Sequence, residues 1–128
     1  MDDANTIIKD LKLVPHPEGG HFVECFKNKN LSIIYYLLKK NEKSHWHRLT
    51  KNETLHFYKG EPLIIYSSKD ENNYNSIIIG EKNKFNITID SGTWFAMKSM
   101  GEYSLIGCTV TPAFDYTDFE LAPKDWKP

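Results

Sequence analysis

The chain predicts an all-β fold, a sandwich or barrel preceded by one short helix. Three observations carry this. First, segments such as "HFVECF", "LSIIYYLL", "ETLHFY", "NSIIIG" and "YSLIGCTV" are rich in the β-branched and aromatic residues that suit a pleated, half-buried surface. Second, turn clusters such as "KNKN", "KKNEK", "SKDENNYN", "EKNK" and "DSG" punctuate them at intervals of about 8–12 residues. Third, no second helical stretch is long enough for a crossover between parallel strands, so the strands should pair antiparallel.

In chain order, residues 5–12, "NTIIKDLK", read as the helix. Asn5 is a fair N-cap, and Ile7, Ile8 and Leu11 fall on one face. "VPHPEGG" then breaks it; two prolines and two glycines in seven residues make a rigid structural turn into the first long strand. This turn lacks the lysine and the following helix of a phosphate loop. His21 and Glu24 on the strand after it are candidates for the mouth of a pocket. Strands then follow one another from about residue 19 to 121: "SHWHRL", "PLIIYSS", "FNITID" and "TWFAMK" complete the series. The tail "FDYTDFELAPKDWKP" should add an edge strand and then an irregular end. With 128 residues, no repeat and no linker, residues 1–128 form one domain.

Composition narrows the partners. Net charge is −1 and the lysines are interleaved with acids, so no basic stripe suits nucleic acid. No apolar run approaches the roughly 20 residues that span a bilayer, so no membrane partner is expected. "MDDANTIIKD" lacks the features of a signal peptide, and the expectation is a cytoplasmic protein. Cys25 and Cys108 sit in apolar stretches and read as two buried thiols. The chain has 15 lysines and one arginine, Arg48, which suits a site that needs a planar guanidinium.

The chemistry concentrates in "SHWHRLTKNETLHFYKG", residues 44–60. On a regular strand His45 and His47 share one side, about 6.6–6.8 Å apart, with Trp46 and Arg48 on the other. "TKN" is a short turn, so the strand opened by Glu53 returns antiparallel beside them. His45, His47 and Glu53 are therefore a candidate facial set for a divalent metal. If Glu53 faces inward, so do Leu55 and Phe57, while His56 and Tyr58 face away unless a bulge intervenes.

These residues, together with "LVPHPEGGHFVE", "IIYYLL", "NETLHFYKGEPL", "GTWFA" and "YSLIGCTVTPAFDYTDFEL", resemble the cupin superfamily. The likeness is closest to its branch described as predicted sugar epimerases, and it spans Leu11 to Leu121. It implies a double-stranded β-helix (jelly roll) and a homodimer. The second cupin signature places a histidine ligand where this chain has Phe95, and a proline where it has Asp90.

The resemblance implies a small-molecule-binding protein, epimerase- or isomerase-like on a sugar or sugar nucleotide. His47 is then the base, oriented by Glu53, with Tyr58 or Tyr103 as the acid. Arg48, His56, Trp94, Phe95 and Phe114 are the candidate pocket residues, joined by Trp46 and Phe57. Two alternatives stand beside this: a metal-dependent cupin enzyme (dioxygenase, decarboxylase or lyase) using one divalent metal on His45, His47 and Glu53, and a non-catalytic ligand-binding module. Metal-free chemistry is compatible with the first reading.

Overall fold

A computed structural model describes residues 3–128. Helix α1 runs Ala4–Leu11, one residue earlier than expected, because Asp3 rather than Asn5 is the N-cap. The Asp3 carboxylate accepts the Thr6 N–H at 2.8 Å, satisfying one of the free donors of the first turn. Lys12, at φ 60°, ends the helix in the left-handed region.

Eleven strands follow among the described residues: β1 Val14–Pro15, β2 His21–Asn28, β3 Leu31–Lys39, β4 Lys43–Leu49, β5 Asn52–Gly60, β6 Leu63–Ser68, β7 Asn75–Ile79, β8 Asn86–Ile89, β9 Trp94–Ser99, β10 Tyr103–Thr111 and β11 Phe119–Leu121. They form two antiparallel sheets, ordered β1-β2-β3-β10-β5-β8 and β11-β4-β9-β6-β7. This is the jelly-roll arrangement, and β11 is the edge strand expected of the tail.

The core lies between the sheets. Tyr36, Leu38, Leu55, Ile65, Phe95, Met97 and Ile106 are among its buried members. The run "IIYYLL" is apolar at every position because both faces of β3 are covered. Tyr36 and Leu38 point between the sheets, while Leu37 packs outward with Ile7, Leu13 and Leu105 under α1. Leu37 is fully buried, so Leu37→Ala should lower unfolding free energy by about 2–5 kcal/mol, measured by urea denaturation.

The cysteines depart from expectation. Cys108 is buried, whereas Cys25 is exposed: it falls at the register shift of β2, without a register partner on β3, in a half-strand exposed from Glu24 onward. No helix among the described residues is long and apolar enough to cross a membrane.

Candidate functional site

A cavity of about 550 Å³ opens between the sheets near β1, β2 and β11. That is the size range of small-molecule sites. Its walls are mostly apolar, with Phe22, Ile34, Leu49, Val110, Phe114 and Phe119 among them. Polar groups gather at His16, Glu18, His47, Glu53 and Cys108.

An irregularity in β4 sets this up. Ser44 pairs with Met97 and His47 with Phe95, so three steps along β4 match two along β9. The bulge puts both Ser44 and His47 inside, at 0% and 2% exposure. The backbone N–H of His45, freed from the ladder, donates to the Glu18 carbonyl at 2.7 Å. The "HPEGG" turn is thereby fastened to β4. Gly19 and Gly20 have φ of 111° and 76°, and a side chain on either would strike the backbone of Lys43 or of Leu37. Tyr36 Oη donates to the Gly19 carbonyl and completes the clamp.

The turn so held delivers Glu18. Its carboxylate accepts the Ser44 hydroxyl, and Oε2 lies 3.2 Å from His47 Nε2. His47 Nδ1 lies 2.7 Å from the His45 carbonyl, which can only accept, so Nδ1 carries a hydrogen. Nε2 of neutral His47 is then a bare acceptor, and its contact with Glu18 needs one shared proton. His16 Nδ1 accepts the Glu18 backbone N–H at 3.1 Å. Its 3.4 Å approach to Glu18 Oε1 is therefore a juxtaposition in which neutral His16 has no hydrogen to offer from that atom.

Burial governs the charges. It pushes the Glu18 carboxyl up to about 6, against the lowering influence of His16 and the Ser44 hydroxyl. It pushes Glu53 up to about 7, against the pull of His47, with the Glu18 charge adding to the rise and a Cys108 hydrogen bond opposing it. It holds His47 below the usual imidazole value despite the Glu53 charge, and His16 likewise despite Glu18. The Cys108 thiol is pushed well up by the same burial and by Glu53 and Glu18, so it stays protonated near neutrality.

The structure brings together only part of the set expected from sequence. His47, Glu53 and Phe114 line the cavity. Phe95 is in the core, its ring 4.1 Å from that of His47. His45 is turned away by the bulge; its Nε2 meets the Pro123 carbonyl at 2.9 Å on the other side of the sheet. His56 lies on the outer face of its sheet, 3.2 Å from Thr109 Oγ1, and Tyr58 lies over Gly107 on that same face. Neither reaches the cavity, because β5 alternates regularly up to Phe57 and its register shifts only beyond that residue. Tyr103 packs beside α1, outside the barrel. Trp46 and Trp94 flank Trp126 on the outside of the five-stranded sheet. Phe57 packs against the core. Of the two residues considered for the mouth, Glu24 lines the cavity, and His21 does not.

Arg48 is also outside. Its guanidinium bonds Glu120 at 2.8 and 2.9 Å and lies 4.3 Å from the centre of the Trp94 ring. The planar fork thus staples β11 to β4, directly across the register pair Arg48–Glu120. Arg48→Lys should cost about 1 kcal/mol in thermal denaturation, through the lost stacking and fork, and leave ligand binding in the cavity unchanged.

The expected metal set does not form. His45 and His47 point to opposite faces, and Phe95 places a ring against His47 where a further donor would stand. Among the described residues no three His, Cys, Asp or Glu side chains are grouped to hold a metal ion. The expected set of His45, His47 and Glu53 therefore does not fit a metal ion, because His45 lies on the other side of the sheet.

Sequence reasoning missed His16 and Glu18, which it assigned to a structural turn. The available signal was a His and a Glu two apart inside a turn stiffened by two prolines and two glycines. Such stiffness is more than a mere connection requires.

Comparisons with known proteins follow the same lines. A protein of known structure from Shewanella oneidensis matches with a TM-score of 0.91 and 32% identity, over 95% of this chain and 85% of that one. A hypothetical protein from Leishmania major matches with a TM-score of 0.83 and 30% identity, over 94% and 88%. Oxalate decarboxylase from Bacillus subtilis shares the fold alone, at 13% identity and a TM-score of 0.71, over 84% of this chain and 29% of that one. No curated protein matches. Residues 5–122 match the family described as Cupin superfamily (DUF985), and with the two-sheet barrel around this cavity the chain belongs to that family.

Proposed function

We infer that this chain is a small-molecule-binding cupin that performs isomerase-type proton transfer at a carbon beside a carbonyl. The observation that carries the reading is the bracketing of one buried, neutral imidazole by two buried carboxyls at the polar end of an apolar cavity. Groups held near neutrality by burial are suited to take and return protons.

In the proposed step, ionised Glu18 leaves its contact with His47 Nε2 one proton short, and the proton released as the C–H bond breaks fills that place. The C–H electron pair delocalises onto the carbonyl oxygen as an enolate. The His47–Glu18 pair exchanges its proton with solvent and returns one to the carbon, which closes the cycle, while Glu53 lines the same end of the cavity. Ser44 and the "HPEGG" clamp position Glu18. Sugars and sugar nucleotides, the substrates implied by the resemblance, form the first screening set. The homodimer belongs to the same proposal. The outer edge of β2 beyond Phe22 has no strand partner among the described residues, and Phe26 there is 47% exposed, so a second copy would cover an open edge. Light scattering in solution tests that part.

The catalytic part is tested by NMR in deuterated solvent. A ligand found by thermal shift should incorporate deuterium at one carbon when protein is added. Binding without exchange across pH 5–9 would leave a binding module and remove the enzyme.

A further inference from the structure

The cavity's charge balance speaks to what it holds. At the rim, Lys12 and Lys27 stand against Glu24 and Asp115, all exposed, and the four roughly cancel. Inside, the balance fails. The Glu18 side chain is 9% exposed and Glu53 8%, and among the described residues no lysine or arginine is paired with either. The chain's one arginine is spent on the outer face with Glu120 and Trp94. Glu18 has the Ser44 hydroxyl and, when protonated, shares that proton with His47. Glu53 has no ion pair among the described residues, and its hydrogen-bonding side-chain partner is the Cys108 thiol, a weak donor. A carboxyl more than nine-tenths buried and facing an open cavity without a cation is an unusual arrangement, because buried charges are normally paired.

The geometry points to a ligand that brings the missing charge: a compact primary or secondary amine, its ammonium set between Glu53 and Glu18 and its apolar body on Phe22, Ile34, Phe114 and Phe119. The inference rests on the reading of this cavity as the ligand site, and it narrows the substrate class. Four aromatic rings in the wall, of Phe22, Phe114, Tyr116 and Phe119, suit both the apolar body and a nearby cation. Diphosphates are disfavoured: a sugar nucleotide would bring two negative charges toward two carboxyls with no guanidinium to receive them. Neutral alcohols can donate one hydrogen bond to Glu53 but leave its charge uncompensated.

Three probes of nearly equal size separate these cases by calorimetry: 2-phenylethylamine, 2-phenylethanol and phenylacetate. The amine should bind about ten- to a hundredfold more tightly than the alcohol, the range expected of one charge-assisted buried hydrogen bond, and phenylacetate should not bind. Glu53→Gln should lower the amine's affinity by a similar factor and the alcohol's by much less, because the glutamine carbonyl oxygen still accepts the hydroxyl. Should that variant not fold, Glu18→Gln serves for the same comparison. If the alcohol, phenylacetate or a nucleotide sugar binds as tightly as the amine, or if Glu53→Gln binds the amine as well as the parent does, the amine assignment is overturned while the cavity remains a ligand site. If neither these probes nor the sugar set binds, the assignment and the cavity reading fall together.

Discussion

Glu53→Gln makes the protein more stable, and the gain grows by about 2–3 kcal/mol between pH 5 and pH 8. The sign follows from burial. In the folded chain Glu53 titrates at about 7, against 4.5 for the free side chain. Below pH 4.5 it is neutral in both states and contributes little. Between 4.5 and 7 the unfolded chain releases this proton and the folded chain keeps it, so stability falls as pH rises. Above 7 the loss is complete. Glutamine has nearly the same shape and no proton to lose, so the variant escapes the penalty. Glu18, raised to about 6, adds a smaller loss of the same sign. His47 and His16 act oppositely: held below their usual value, they cost stability as pH falls below about 6.5. The parent's pH profile is therefore a partial cancellation, and the difference between variant and parent isolates Glu53. Urea denaturation at pH 5, 6, 7 and 8 measures it. A constant difference would mean that Glu53 is solvated in solution and that the cavity floor is wetter than described.

That two carboxyls should sit inside a barrel with no lysine or arginine paired to them among the described residues was only half legible in the sequence. The strands were readable because local chemistry writes them: turn clusters at even spacing and β-branched runs between them. The helix was readable from Ile7, Ile8 and Leu11, although its cap fell two residues early, on Asp3. Glu53 was placed by simple alternation from the hairpin. His45 was misread for the same reason, since alternation assumes an unbroken ladder and β4 carries a bulge. The bulge is made by distant partners: the Glu18 carbonyl, 27 positions before His45, takes the N–H that it frees. Glu18 was invisible as a site residue on the same ground. Its role depends on a turn pressing against a strand that comes later in the chain. Arg48 shows the converse. Its rarity pointed to a place needing a guanidinium, and the place is a cross-strand staple on Trp94 rather than a ligand clamp.

For the reaction itself the largest effect belongs to His47. His47→Asn should slow ligand deuterium exchange by about 10²–10⁴-fold, the usual contribution of a positioned base. Asparagine can still donate to the His45 carbonyl from near the position of Nδ1, so the bulge and the Ser44 side of the cavity keep their main contact. What is lost is Nε2, the atom that faces Glu18 at 3.2 Å. Because the imidazole is neutral and not an ion-pair partner of the ligand, binding should change by less than the rate does. A loss in rate at nearly constant dissociation constant marks an interaction made only in the transition state. Tyr58→Phe supplies the contrast. Its ring lies over Gly107 on the outside of the barrel, so exchange should proceed at the parent rate. Exchange that survives in His47→Asn but stops in Glu18→Gln would move the base to the carboxylate and leave His47 as its support. Exchange that stops in Tyr58→Phe would place the chemistry on the outer face of the sheet and contradict the cavity altogether.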